Sequence, residues 1–249
     1  MKIEIKGLSC RIGQKDILKD INAAFSGRRL IGIIGPNGCG KTTLLRHIYR
    51  ELPSRNHIFV DGRELSSYSP RLLAQKLAVM AQRSSQTDDR LTVGDMVRMG
   101  RYPYKELFEQ YDEKDEEIVN KALEKTGLLD FKQRTLGSMS GGEAQRALIA
   151  KCFAQTPEAI ILDEPANHLD VKYRLELMQL LKQFPGLIIL TIHDLNLAAE
   201  YCDYIYAMKE GRIHAEGTPE QLLTEELLEE LFEVKFRAVR CDGRLFLCV

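Results

Sequence analysis

Apolar residues in this chain fall into two rhythms. Leu30 to Ile34, Ala159 to Leu162 and Leu187 to Ile192 are short, unbroken runs rich in Ile and Leu, the pattern of strands buried on both faces of a parallel sheet. They alternate with segments of helical spacing, which predicts an α/β core. Near the start, Ile3-Glu-Ile and Ile21 to Phe25 read as strands broken by Gly7 and Gly13, and His57 to Gly62 as a strand entering a turn. These predict an antiparallel β subdomain beside the core. From about Thr92 to Ala154 the rhythm is helical, at Val93 to Met99, Lys114 to Lys125 and Glu143 to Phe153. The expectation is one domain, with residues of about 1–90 and 156–249 forming a core lobe and about 91–155 an inserted helical lobe. Pro219 to Phe232 reads as a charged amphipathic helix, and Asp242-Gly243 between two alternating runs predicts a closing hairpin.

Composition narrows the function classes. The 249 residues suffice for a well-buried core, and a formal net charge of −1 gives no basic surface for nucleic acid. No apolar stretch approaches the roughly 20 residues that span a bilayer, and the first residues lack a signal-peptide apolar region. A cytosolic protein is expected, reaching a membrane only through a partner. Six cysteines, at 10, 39, 152, 202, 241 and 248, show no CxxC or zinc-like spacing and read as reduced structural thiols.

Three segments carry chemistry. Gly35-Pro-Asn-Gly-Cys-Gly-Lys-Thr42 fits GxxxxGK[ST], and it lies between a strand-like run and the helical pattern Thr42 to Tyr49, the context a phosphate loop requires. Gly35, Gly38 and Gly40 let the backbone take conformations closed to other residues, so that successive N–H groups can converge on phosphate oxygens. The candidate nucleotide-binding residues are Gly35, Pro36, Asn37, Gly38, Cys39, Gly40, Lys41, Thr42 and Thr43. The helix that follows adds its positive end. Lys41 is placed to bridge β- and γ-phosphates, and the Thr42 hydroxyl to ligate Mg²⁺. Because Cys39 lies within the loop, its alkylation is expected to block nucleotide. At Ala159-Ile-Ile-Leu-Asp-Glu-Pro165 a buried strand ends in two carboxylates that alternation points apart. Asp163 is the candidate for holding Mg²⁺ and Glu164 for polarising an attacking water. Finally, Ser140, Gly141 and Gly142 precede a helix and form a second candidate anion site.

The set GPNGCGKT, MSGGEAQR, ILDEP, Asn167-His-Leu-Asp170 and Thr191-Ile-His193-Asp194 resembles the ATP-binding subunits of ABC transporters, and the resemblance covers essentially the whole chain. It implies a P-loop NTPase (RecA-like) core and a head-to-tail homodimer with two ATP molecules, each held between Gly35 to Thr42 of one copy and Ser140 to Gly142 of the other. It also makes His193 a γ-phosphate contact and Gln82 a Mg²⁺ and water contact that senses the membrane partner. Asp170, otherwise a plain helix cap, becomes a coupler of the two sites. The implied cofactors are ATP and Mg²⁺.

The chain departs from the family pattern at three places. Glu143 and Met139 replace commoner Gln and Leu but leave the Ser-Gly-Gly nest intact. Ile12 stands where an aromatic residue usually stacks on adenine, so base grip is expected to be weaker. Val97-Arg-Met-Gly-Arg-Tyr-Pro-Tyr104 is similar to a stretch in importers of iron(III)–siderophore, haem and vitamin B12. That likeness implies two polytopic permease subunits as partners, an external substrate-binding protein, a location on the inner face of the cell membrane, and a permease interface between Gln82 and Tyr104. The rival reading is a soluble ABC ATPase acting on ribosomes or chromosomes. The tandem cassettes or long coiled coils of those proteins are not seen here.

Overall fold

The computed structural model describes residues 1–81, 89–106, 108–167, 169–241 and 243–249. Gln82, one of the residues singled out above, therefore lies outside the described residues, and so does Asp242 of the hairpin turn.

The chain opens with the long antiparallel pair β1 (Lys2–Ile12) and β2 (Lys15–Ser26). Gly7 does not end the first strand as its position suggested; the pairing register shifts between Ile5 and Leu8, and the strand continues through a bulge. Next come β3 (Leu30–Ile34), α1 (Lys41–Ile48), β4 (Ile58–Val60), β5 (Arg63–Glu64), α2 (Pro70–Lys76) and β6 (Leu77–Met80). A helical segment follows with α3 (Val93–Arg98), 3-10 turns over Met99–Tyr104, α4 (Glu113–Lys125) and α5 (Gly141–Ala154). The chain then returns through β7 (Ala159–Leu162), α6 (Val171–Lys182), β8 (Leu187–Thr191), α7 (Leu195–Tyr201), β9 (Tyr204–Lys209) and β10 (Arg212–Gly217). It closes with α8 (Pro219–Leu222), α9 (Glu225–Phe232), β11 (Arg237–Cys241) and β12 (Arg244–Cys248). The single tail helix expected over Pro219 to Phe232 is two, because Thr224 ends the first and caps the second by accepting from the Leu227 N–H at 3.3 Å.

Two sheets organise the site. One has the order β2-β1-β4-β5 and is antiparallel; the other, β10-β9-β3-β8-β7-β6, is parallel except at its β10 edge. Alternation along the central strands feeds two cores. Leu30, Ile34, Ile160, Leu162, Ile188 and Leu190 face α5 to α9, while Ile31, Ile33, Ile161 and Ile189 face α1 and the antiparallel sheet. Phe25 and Tyr206 bind the sheets together, with ring centroids 4.9 Å apart and the Tyr206 hydroxyl donating to the Ala24 carbonyl at 2.8 Å. A third cluster, including Val93, Val97, Val119, Leu123 and Ala147, packs the helical segment. The carboxyl ends of β3, β7 and β8 thus emerge side by side, which is where ligands settle in open parallel sheets.

Candidate nucleotide site

The Gly35–Gly40 loop leaves β3 and turns into α1. All three of its glycines have positive φ, but for different reasons. Gly35 has φ 145° and passes so close to the β9 backbone that a Cβ would fall 2.1 Å from the Met208 carbonyl oxygen. Gly40 enters α1 at φ 108°, a left-handed conformation that a side chain would strain, with Leu18 and the Ile17 carbonyl oxygen about it. Gly38 sits at the exposed tip beside exposed Asn37, with φ 77° and no atom within 4 Å of where a Cβ would project. Its requirement is therefore the left-handed backbone alone; the close packing that accompanies Gly35 and Gly40 does not extend to it. Lys41 is buried and folds back along the loop, donating to the carbonyls of Gly35 at 2.7 Å and Pro36 at 3.1 Å. Both are weak partners for an ammonium compared with phosphate, so the lysine is held in reserve over the loop.

Cys39 turns into the core under the loop, and burial raises its thiol pKa above the ordinary value. The thiol is therefore little accessible from the loop surface. Beside the loop a cavity of about 380 Å³ is lined by Lys15, Ile17, Asn37, Gly38, Lys209 and Phe232. Ile12 ends β1 half-exposed and pairs with Lys15, so the two project from the same face of the hairpin.

Asp163 and Glu164 part where β7 ends. Asp163 is 2% exposed; its Oδ1 accepts from the Thr191 hydroxyl at 2.7 Å and from the Thr42 hydroxyl at 3.3 Å. Its Oδ2 is buried with no hydrogen-bond partner. A buried carboxylate oxygen left unpaired is costly, and a carboxylate whose other oxygen meets the Thr42 hydroxyl fits a divalent cation. Among the described residues no group of three His, Cys, Asp or Glu side chains stands ready for a metal.

Glu164 adopts φ 52°, sparsely populated for a non-glycine residue, and its N–H donates to the Thr191 hydroxyl at 2.7 Å. This turn swings its side chain away from Asp163. His193 Nε2 lies 2.6 Å from Glu164 Oε1, and Asn167 Nδ2 donates to Oε2 at 2.5 Å. The structure therefore brings Lys41, Thr42, Asp163, Glu164 and His193 to one rim. Thr191 and Asn167 join them in roles that sequence reasoning missed. Thr191, a polar end to an apolar strand, was the legible signal; Asn167 has no local one.

The nest sits on α5. Ser140 caps it in a reciprocal box: its N–H donates to Glu143 Oε2 at 2.8 Å, and its Oγ accepts from the Glu143 N–H at 3.3 Å. That backbone bond from Ser140 holds the Glu143 carboxyl below its usual pKa. Glutamate at this position thus has a capping role, its carboxyl taking hydrogen bonds from both the backbone and the side chain of Ser140. Around Gly141 no atom lies within 4 Å of where a Cβ would project, so this face of the nest is open. Asp170 caps α6, accepting from the Tyr173 N–H at 3.0 Å.

Comparison with known proteins bears on what such a site belongs to. Residues 18–167 match the model of the ABC transporter family. The chain is 37% identical over 247 residues to a petrobactin import ATP-binding protein of Bacillus subtilis (strain 168), covering 97% of each. It is 34% identical over 233 residues to a ferric enterobactin transport ATP-binding protein of Escherichia coli (strain K12), covering 92% of this chain and 86% of that one. Among solved structures, an inward-facing ABC transporter assigned to the metal-chelate type superposes with a TM-score of 0.83 at 22% identity, over 98% of this chain and 95% of that one.

Proposed function

The chain belongs to the ABC transporter family of ATP-binding proteins and is an ATPase; from that premise we propose that it drives an importer, taking up an iron(III)–siderophore, haem or cobalamin through a permease. The observation that most supports a shared site is the contrast between a crowded rim, where Lys41, Thr42, Asp163, Glu164 and His193 converge, and a capped nest at Ser140 to Gly142 whose Gly141 face is open. The nest needs an anion, and the rim needs a group to close over the γ-phosphate. Two copies set head to tail satisfy both.

In this reading ATP lies along Gly35 to Thr43, with the open tip at Asn37 and Gly38 beside the phosphate chain, and Lys41 exchanges its carbonyl partners for the β- and γ-phosphates. Ile12 offers the base an aliphatic platform. Thr42 and Asp163, with Gln82 as the resemblance implies, would hold Mg²⁺, which would supply charge neutralisation on the phosphates. Glu164 accepts a hydrogen bond from the attacking water and polarises it in line with the γ-phosphorus. His193, already joined to Glu164, extends its other edge to the γ-phosphate, while Ser140, Gly141 and Gly142 of the partner donate from the opposite side. Charge developing on the phosphoryl oxygens thus meets donors from both copies, and hydrolysis waits for the dimer. Asp170 lies where the two copies meet.

Residues of about 91–155 act as the helical lobe, and the surface between Gln82 and Tyr104 meets the permease on the inner face of the membrane. The names of the relatives, petrobactin import and ferric enterobactin transport, support an iron-chelate cargo. Purification of the tagged chain from native membranes in mild detergent, followed by mass spectrometry, tests the assignment. Co-purification of a polytopic permease is the expected result; ribosomal or chromosomal proteins with no membrane protein would overturn it.

A further inference from the structure

The first turn of α6 touches both halves of the proposed site. A methyl group added at Gly142 would lie 2.8 to 3.2 Å from three ring atoms of Tyr173, whereas one at Gly141 would meet nothing. One turn further along α5, the Arg146 guanidinium stands 5.1 Å from the same ring centroid and pairs with Glu176 at 3.1 Å. Gly142 and Arg146 are four residues apart and share a helix face, so the ring of Tyr173 lies across the first turn of the nest's own helix. An aromatic ring is a rigid support because it carries few rotatable bonds.

The same short region is tied to the catalytic turn. Gln145 Nε2 donates to the Pro165 carbonyl at 2.7 Å, and Asn167 Nδ2 to Glu164 Oε2 at 2.5 Å. Arg174, beside Tyr173, donates from Nε to the Leu169 carbonyl at 3.0 Å and reaches Asp194 Oδ2, next to His193, at 3.5 Å. Within one copy, then, the nest that grips the partner's ATP is backed by an element fastened to the turn that carries the copy's own Glu164.

We infer that Tyr173 is a positioning residue that fixes the Ser140–Gly142 nest against the turn carrying Glu164 and Asn167, so that the nest is presented at the right height for the ATP held by the other copy. The inference rests on the shared-site reading above. It uses the ring and not the hydroxyl, because the contacts to Gly142 and Arg146 are made by ring atoms. A displacement of about 1 Å at a reacting centre costs up to about 100-fold, so a modest retreat of the nest is enough to matter.

The test uses the full chain carrying Glu164→Gln as reference, with Tyr173→Ala or Tyr173→Phe added, and sedimentation velocity with ATP and Mg²⁺ as readout. The expected result is that Tyr173→Ala weakens ATP-dependent dimerisation by about tenfold or more. Tyr173→Phe should match the reference, and ATP affinity of the dilute monomer should be unchanged in all three. Without Glu164→Gln, Tyr173→Ala should lower kcat in parallel. Equal dimerisation of the Ala variant, or failure of the Phe variant to restore it, would overturn the role given to the ring. Loss of monomer ATP binding in Tyr173→Ala would also overturn it, because that is the mark of general unfolding. If the reference itself stays monomeric in ATP, the shared-site reading fails and this inference falls with it.

Discussion

The carboxylate of Glu164 is held at both oxygens, by His193 and by Asn167. Such a group is oriented before substrate arrives, which suits a residue that must aim a water. Glu164→Gln is expected to keep ATP binding and to lower turnover by about 10²- to 10⁴-fold in a phosphate-release assay; undiminished turnover would remove Glu164 from the role. At the base end, Ile12 lacks a π-face, and Ile12→Tyr should tighten ATP by about 1 kcal/mol in calorimetry. No gain would mean that another residue carries the adenine. The buried, weakly acidic thiol of Cys39 should be alkylated far more slowly at neutral pH than exposed Cys241 and Cys248, which time-resolved mass spectrometry can order. At this scale the sequence made the divergence of the Asp163 and Glu164 side chains readable, though by strand alternation, whereas β7 ends at Leu162 and the parting comes from the left-handed backbone of Glu164. It also made the backbone demand at Gly35, Gly38 and Gly40 readable, though not that Gly38 alone would stand clear of its surroundings. The inward turn of Cys39 and the Asn167 bond were not readable, because one depends on packing beneath the loop and the other on a turn closing upon itself.

Among the elements, the helical segment carries its own electrostatic anchor. Arg101, to which sequence reasoning gave no separate role, is buried with its Nε 3.0 Å from Asp115 Oδ1 and its NH1 2.9 Å from the Ala154 carbonyl. Lys105 pairs with the other oxygen of Asp115. Burial alone would raise the Asp115 carboxyl, but hydrogen bonds from Lys105 and Arg101 outweigh it and hold its pKa at about 2. A carboxyl whose folded pKa lies below its unfolded value near 3.8 stabilises fully above that value and loses its effect as pH falls toward about 2. Asp115→Asn should therefore cost about 3 kcal/mol in urea unfolding near neutral pH. Its deficit against the unsubstituted chain should shrink below about pH 4. A deficit independent of pH would contradict the ion-pair account. The central strands were legible because burial on both faces leaves unbroken apolar runs. The bulge at Gly7 and the break at Thr224 were not, since a glycine in a strand and a threonine in an amphipathic helix each permit continuation or interruption, and tertiary pairing decides.

For the whole molecule, the order of the six-stranded sheet matters more than any single element, because it sets the ends of β3, β7 and β8 in one row. Sequence motifs announced that the three ends belong together; only the topology explains how residues 42, 163 and 193 meet. Among the described residues no helix is long and apolar enough to cross a membrane. The proposed division of the site between two copies has the broadest consequence, because activity would then depend on their encounter. The most direct measurement is therefore the specific ATPase rate of the purified chain over a wide range of protein concentration at saturating ATP and Mg²⁺. The account predicts a specific rate that climbs with protein concentration and levels off as dimers fill; full activity maintained at dilutions where the chain sediments as a monomer in ATP would contradict it.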